Sequence, residues 1–166
     1  GSMSHLRQIP DLQKLKKLGA IDSKSYKEIK AAMEGRSKIL IIGAKNSGKN
    51  TLQDALVNHL HRMYKAPLVI PSFDGVPTKK FRGHKKLKNL KKTIKGHSSY
   101  VACIQHSGSD KADISDLSTY LLSDFDLIID IRNIKGKRIV CSLIKGRTKA
   151  NFIYTNPKFE NFLIAA

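Results

Sequence analysis

Apolar residues recur along this chain with two periods, and the alternation between them lays out its elements. Leu12, Leu15 and Leu18 stand at helical spacing between a capping Asp11 and a terminating Gly19, which predicts a short amphipathic helix. The plan repeats from Asp22 or Ser23 as cap to Gly35 as stop, with Tyr26, Ile29 and Met33 as the buried face. The β-branched run Ile39 to Ile42 reads as a buried strand, after which Leu52, Ala55, Leu56, Val57, Leu60 and Met63 return to the helical period. Pro67 to Pro71 reads as a short strand and Ser72 to Thr78 as a turn through Asp74-Gly75 and Pro77. Over Arg82 to Lys95 the spacing predicts a helix in which Leu87, Leu90 and Ile94 form one narrow apolar stripe on an otherwise basic circumference. Ser99 to Gln105 follows as a strand and Asp113 to Leu122 as a helix. Asp126 to Arg132 and Lys137 to Lys145 then form a hairpin joined by Asn133 to Gly136. The tail carries Phe152, Ile153, Tyr154, Phe159 and Phe162, apolar enough to dock on the body or to pair as an edge strand. Strands alternating with helices predict an α/β fold with a mostly parallel sheet, helices on its faces and a C-terminal antiparallel hairpin.

The length, 166 residues, suits one such domain. The expected division is residues 1–3 as an expression scar with initiator, 4–36 as N-terminal helices, 37–150 as the core and 151–166 as a docking tail. No apolar stretch reaches the roughly 18 residues that a membrane-spanning helix needs, and the start lacks an apolar signal segment, so a cytoplasmic protein is expected. Cys103 and Cys141 stand singly within apolar runs, a spacing that suits reduced core residues rather than a zinc site or a disulfide.

Charge changes the picture more. The formal net charge is +18, and its distribution is segregated. Between Asp74 and Asp110 there is no acidic residue, against nine Lys and Arg; from Ile131 to Phe159 there is again none, against eight. Acidity gathers in between, at Asp110, Asp113, Asp116, Asp124, Asp126 and Asp130. A solvated lysine face is the plain explanation of any one cluster, but segregation on this scale exceeds what solubility requires.

One motif carries chemistry. The strand at Ile39 to Ile42 ends in Gly43-Ala44-Lys45-Asn46-Ser47-Gly48-Lys49-Asn50-Thr51, a glycine-rich phosphate-loop spacing set between strand and helix. Backbone N–H groups and the Lys49 ammonium can cradle phosphate, whereas the hydroxyl that would hold Mg²⁺ after the lysine is replaced by Asn50. Thr51 does not replace it, because one residue along a helix turns a side chain by about 100°. The candidate phosphate-binding set is Gly43, Asn46, Ser47, Gly48, Lys49, Asn50 and Thr51, with no metal ligand or catalytic residue assigned. No cofactor is required on this reading, which leaves room for residual ATP or phosphate binding. The alternative is a tight strand-to-helix turn that uses glycine for geometry alone.

Around that loop stand Leu18-Gly19-Ala20-Ile21-Asp22 ahead of it, Phe81-Arg82-Gly83 with Gly96-His97 after it, then Tyr100 to Ser109, and finally Phe125 to Lys145. This order resembles the nucleotide-binding domain of the type II/type IV secretion traffic ATPases, the hexameric motors of conjugation, secretion and pilus assembly, over roughly Leu12 to Arg147. The resemblance implies a RecA-like P-loop fold of three layers. It also exposes departures. Lys79 and Lys80 occupy the neighbourhood where the family places an acidic residue before its Arg-Gly pair, and the family's earlier acidic box is reduced to Asp74. Gln105 or His106 takes the place of the family's histidine motif, depending on a one-residue shift. Since phosphoryl transfer depends on positioning and on Mg²⁺ with its ligands, losing these parts together implies a non-catalytic pseudo-ATPase.

The function expected is nucleic-acid binding, DNA over RNA and with little sequence specificity, in a protein of plasmid, phage or other mobile-element origin. The surface expected to do it comprises Lys79, Lys80, Arg82, Lys85, Lys86, Lys88, Lys91, Lys92, Lys95, Lys137, Arg138, Lys145, Arg147 and Lys149. Tyr154 and Phe152 either stack bases or form a strand face in the core. Two alternatives stand. An active or weakly active NTPase would recruit a carboxylate from Asp124, Asp126 or Asp130, residues that otherwise cap, flank strands or pair with lysines. An interaction module would self-associate, join a secretion or conjugation machine, or face acidic lipid. His97 and His106 either sense nucleotide or serve as structural hydrogen-bonding residues.

Overall fold

The computed structural model describes residues 11–34, 37–63 and 68–164. The expected scar at residues 1–3, Gly35 as a helix stop and Pro67 as a strand start lie outside the described residues. Two capped helices open the chain. In α1 (Leu12–Lys17) the Asp11 carboxylate accepts from the Lys14 N–H at 2.7 Å, and in α2 (Ser23–Met33) Asp22 and Ser25 form a reciprocal capping box. Leu12 and Leu15 are buried, but Leu18, at the C-cap, is 71% exposed, since the helix ends before the stripe completes its turn.

The remaining elements are β1 (Lys38–Gly43), α3 (Lys49–Met63), β2 (Ser72–Val76), α4 (Lys85–Ile94), β3 (Tyr100–His106), α5 (Ser115–Leu121) with a 3₁₀ turn at Leu122–Asp124, β4 (Leu127–Ile134), β5 (Lys137–Lys145), β6 (Asn151–Thr155) and α6 (Pro157–Ile164). The six strands form one sheet in the order β2-β3-β1-β4-β5-β6. The first four run parallel, β5 pairs antiparallel with β4 and β6 antiparallel with β5, so the expected α/β architecture with a C-terminal antiparallel hairpin is present. Successive β1 residues serve opposite faces. Ile39 and Ile41 join a core with α1, α2 and α3, while Leu40 and Ile42 join one with α4 and α5. A smaller cluster of Ile134, Ile139, Cys141 and Phe159 seats α6. Both cysteines are free and buried, and burial pushes the Cys103 thiol up to about 12.

Three expectations are corrected. Within the expected strand, the described residues Leu68 to Pro71 are not a strand: only Val69 bridges to Tyr100, and β2 instead runs through Ser72 to Val76, the stretch read as a turn. It pairs with β3 on one side only (Ser72↔Cys103, Phe73↔Ile104), so backbone hydrogen bonds place it without apolar alternation, and Gly75, at φ +67°, lies in the irregular stretch of that pairing. The basic helix starts at Lys85 rather than Arg82, because Gly83 is left-handed and the His84 ring caps it by accepting from the Lys86 N–H. The helix expected from Asp113 starts at Ser115, whose N–H donates to the Asp113 carboxylate at 2.9 Å. Toward the C-terminus β6 is an edge strand paired with β5, and Phe159 of α6 packs with Ile134, Ile139 and Cys141. Among the described residues no helix is long and apolar enough to cross a membrane.

Candidate phosphate site and basic surface

The glycine-rich loop leaves β1 between its two parallel neighbours, with Gly43 beside Gln105 of β3 and Ile42 beside Asp130 of β4. The chain leaves β1 toward α3 on one face and leaves β3 toward α5 on the other. Their carboxyl ends therefore flank a crevice at a topological switch point, where open α/β sheets bind ligands. Asn46 and Gly48 take left-handed φ values of +64° and +93°, and the Ser47 N–H donates to the Ala44 carbonyl at 3.2 Å, which curls the loop.

Inside the curl the fit is tight. A Cβ on Gly43 would fall 2.2 Å from Ser47 Oγ, so only glycine allows this closure. Ser47 is fully buried, and its hydroxyl has no hydrogen-bond partner. Lys49, 4% exposed, opens α3 and donates from Nζ to Gln105 Oε1 at 2.8 Å across the crevice. Gln53, one turn further on, ties α3 to the sheet through the Val101 carbonyl at 2.9 Å. From the hairpin side, Asn133 Nδ2 donates to the Asn46 carbonyl at 3.3 Å. Arg138, which pairs with Asn133 across the hairpin, lays its aliphatic stem over Gly48, 3.0 to 3.3 Å from where a Cβ would stand. Thr51 and Gly48 together line a cavity of about 360 Å³ between α3 and the α1–α2 turn, with Leu15, Ile21 and Ile131 among its apolar lining and Lys137, Arg138 and Lys158 among its basic lining.

A loop of this type implies Mg²⁺, and the residues here do not fit one. Position 50 offers an exposed amide, and the group facing Lys49 is the neutral amide of Gln105. The nearest strand-end carboxylate, Asp130, is buried and accepts both of its bonds from Arg132 Nε, at 3.0 and 3.1 Å. Arg132 in turn donates through Nη1 to the Asp110 carbonyl and lies over the Phe159 ring. Burial drives the Asp130 carboxyl upward and Arg132 opposes it. Of the other aspartates offered by sequence, Asp124 pairs with Lys91 at 2.6 Å and Asp126 is exposed. Among the described residues no group of three or more His, Cys, Asp or Glu could hold a metal.

The two candidates at the end of β3 lie on opposite faces: Gln105 meets Lys49, and His106 follows Ile104 onto the side of α4 and α5. His106 is buried with Nδ1 unpartnered, and burial, aided by Arg132 and Lys49 against Asp110, holds its pKa below the usual value. His97 is exposed beyond α4.

The basic residues divide between two places. On α4, Leu87, Leu90 and Ile94 are buried, and Lys85, Lys88, Lys92 and Lys95 form one exposed stripe at steps of three and four. Lys86 is turned back onto the Asp74 carbonyl, and Lys91 is held by Asp124 and by the Tyr120 ring, which Arg82 also covers. Lys79 and Lys80 are exposed just ahead. Lys145, Arg147 and Lys149 lie at the end of β5 and on the turn into β6, where a Cβ on Gly146 would stand 3.5 Å from the Leu122 side chain; Arg147 and Lys149 are exposed. Lys137 and Arg138 stand apart from this group, at the phosphate loop. Phe152 is half exposed, while Tyr154 is buried and donates to the Asp22 carboxylate.

No protein-family model matches this chain, and no curated protein does. Solved structures similar to it include two ATPases. One is the VirB11 ATPase of the Brucella suis type IV secretion system, in complex with sulphate, at 15% identity and a TM-score of 0.41, covering 100% of this chain and 64% of that one. The other is the Legionella pneumophila ATPase DotB, at 12% identity and a TM-score of 0.40, covering 95% of this chain and 54% of that one. The chain thus spans less than two thirds of either protein, and similarity this distant assigns it neither activity nor partners.

Sequence reading missed the roles of Gln105, Asn133 and Arg138. Gln105 entered only as a candidate for the histidine motif, without Lys49 as its partner, and the hairpin reading put Asn133 in the connecting turn and Arg138 among the basic residues without saying what lay beneath them.

Proposed function

We propose that the protein is a non-catalytic P-loop domain that binds nucleic acid, DNA in preference to RNA, through α4 and the adjoining 145–149 turn, with little sequence specificity. The observation that carries this reading is the α4 stripe. Three lysines on the helix and Lys95 at its C-cap face solvent, and the opposite side is locked into the core by three aliphatic residues, so the charge is presented on a rigid support. Lysine ammonium groups at this spacing meet backbone phosphates as point charges, which gives affinity without base readout. The exposed Arg147 and Lys149, on the turn near Leu122, are included in the proposed surface, and Lys91 neutralises Asp124. The non-catalytic half of the proposal is supported by the exposed amide at Asn50, the neutral Gln105 beside Lys49 and the engagement of Asp130 by Arg132. A cytoplasmic place beside a secretion or conjugation machine, and a mobile-element origin, belong to the same proposal and are supported by the order of the sequence motifs.

The test is fluorescence anisotropy with short single- and double-stranded DNA and matching RNA, on the wild type and on a Lys85/Lys88/Lys92→Glu variant. Between 50 and 200 mM salt, log affinity should fall with log salt at a slope of about −0.9 per phosphate contacted on duplex, and the variant should lose about three such contacts. Absence of binding at the lowest salt would sink the proposal.

A further inference from the structure

The phosphate loop combines features of an anion site with a poor fit to the metal that usually accompanies one. Ser47 keeps a fully buried hydroxyl without a partner inside the curl. The N–H groups of the first turn of α3, fifteen residues long, have no intrahelical acceptors and carry the positive end of its dipole. Lys49 brings a nearly buried ammonium whose present partner, the Gln105 amide, is neutral and can be exchanged for an anion. Above the loop, Arg138 rests on Gly48, and the hairpin that delivers it is fastened to the loop by Asn133 and Asn46. A guanidinium presents paired donors to phosphate oxygens, so the positive charge a divalent ion would bring is already supplied within the chain.

We propose that this loop binds a terminal phosphate or diphosphate group without a divalent cation, with Arg138 closing over the group in the ion's place. The ligand chemistry is a phosphate monoester or anhydride end, carried by a free nucleotide or by the 5′ end of a nucleic acid strand. The cavity of about 360 Å³ beside Gly48 and Thr51, with an apolar floor, has room for an attached aromatic group. The site is separate from the α4 surface, so the two stand or fall by different variants.

The experiment is calorimetric titration of the full chain with inorganic pyrophosphate, in EDTA and in excess Mg²⁺. Binding in EDTA should equal or exceed that in Mg²⁺, because the free anion carries more charge than its magnesium complex. Arg138→Ala should weaken it about tenfold, the scale of losing a charge-assisted hydrogen bond, while Arg138→Lys retains part of the affinity. Arg138 is exposed, so these variants should fold, and an unchanged melting curve checks that they do. The Lys85/Lys88/Lys92→Glu variant reverses three charges on α4, none of which lines the loop or its cavity, and at 0.15 M salt should leave pyrophosphate affinity within about twofold, which separates the site from general attraction to a basic protein. A requirement for Mg²⁺, an Arg138→Ala affinity equal to wild type, or no binding at millimolar pyrophosphate would overturn the proposal. Tighter binding of ATP than of pyrophosphate assigns the group to a free nucleotide; preference for a 5′-phosphorylated over a 5′-hydroxyl oligonucleotide assigns it to a strand end.

Discussion

At Gly43 a single methyl group decides whether the loop can close. An alanine Cβ would meet Ser47 Oγ at 2.2 Å, and Ser47 Cβ and the Ile131 carbonyl at 3.0 Å, so turning the hydroxyl aside would still leave two tight contacts. Gly43→Ala should therefore destabilise the protein by about 1–3 kcal/mol, the usual scale of overpacking, in urea unfolding. Combining it with Ser47→Gly should restore most of that loss, since the backbone oxygen alone is a tolerable contact; an unrelieved double variant would place the clash elsewhere. On the other face, His106 makes stability depend on pH. Its folded-state pKa lies below the ordinary histidine value of 6.5, so the unfolded chain takes up the proton first as pH falls. The stability that neutral His106 contributes is complete above pH 6.5 and is lost progressively below it, down to the folded-state pKa. Melting temperatures measured between pH 8 and 5 should fall on the acid side, and His106→Gln should flatten that fall; parallel curves for the two proteins would remove His106 as the cause.

Among the elements, legibility in the sequence follows how each one is stabilised. The α4 helix was readable because its own side chains decide its burial: Leu87, Leu90 and Ile94 recur at the helical period and all enter the core. β1 was readable for the same reason, as four consecutive aliphatic residues buried between two strands and two helical layers. β2 was not, because an edge strand is held by the backbone of its neighbour. Its residues are mostly exposed, and Asp74-Gly75 carry turn chemistry that the pairing with β3 overrides. The phosphate loop was legible as a motif because strand, glycines and lysine are contiguous. What surrounds it was not, since Gln105 lies 56 residues from Lys49 and Asn133 lies 87 from Asn46, and no local period encodes a meeting across such distances. The division of the basic residues into two groups belongs with these. Charge counting pools Arg138 with the lysines of α4, and only the path of the hairpin separates them.

For the molecule as a whole, the unusual term is self-repulsion. Thirty-one Lys and Arg face thirteen Asp and Glu, and the ion pairs formed among the described residues are Lys91–Asp124 and the buried Arg132–Asp130. Most of the positive charge is therefore unpaired at the surface, where its energy is long-ranged and sensitive to salt. Raising ionic strength from 0.01 to 0.15 M shortens the Debye length from about 30 to about 8 Å, less than the separation of most like-charged residues on a domain of this size. Screening should relieve repulsion in the compact state more than in the expanded chain, so the melting temperature should rise across that range. The Lys85/Lys88/Lys92→Glu variant should show a smaller rise, because each exchange removes two units of charge from the densest part of the surface. A melting temperature that falls with salt would mean that the short-range attractions at Asp124 and Asp130 outweigh the lysine field. A polyanion acts on the same term with greater economy, since it brings its charges already linked; stabilisation by a DNA strand beyond that of the equivalent concentration of free phosphate would tie the charge imbalance of this fold to the partner proposed for it.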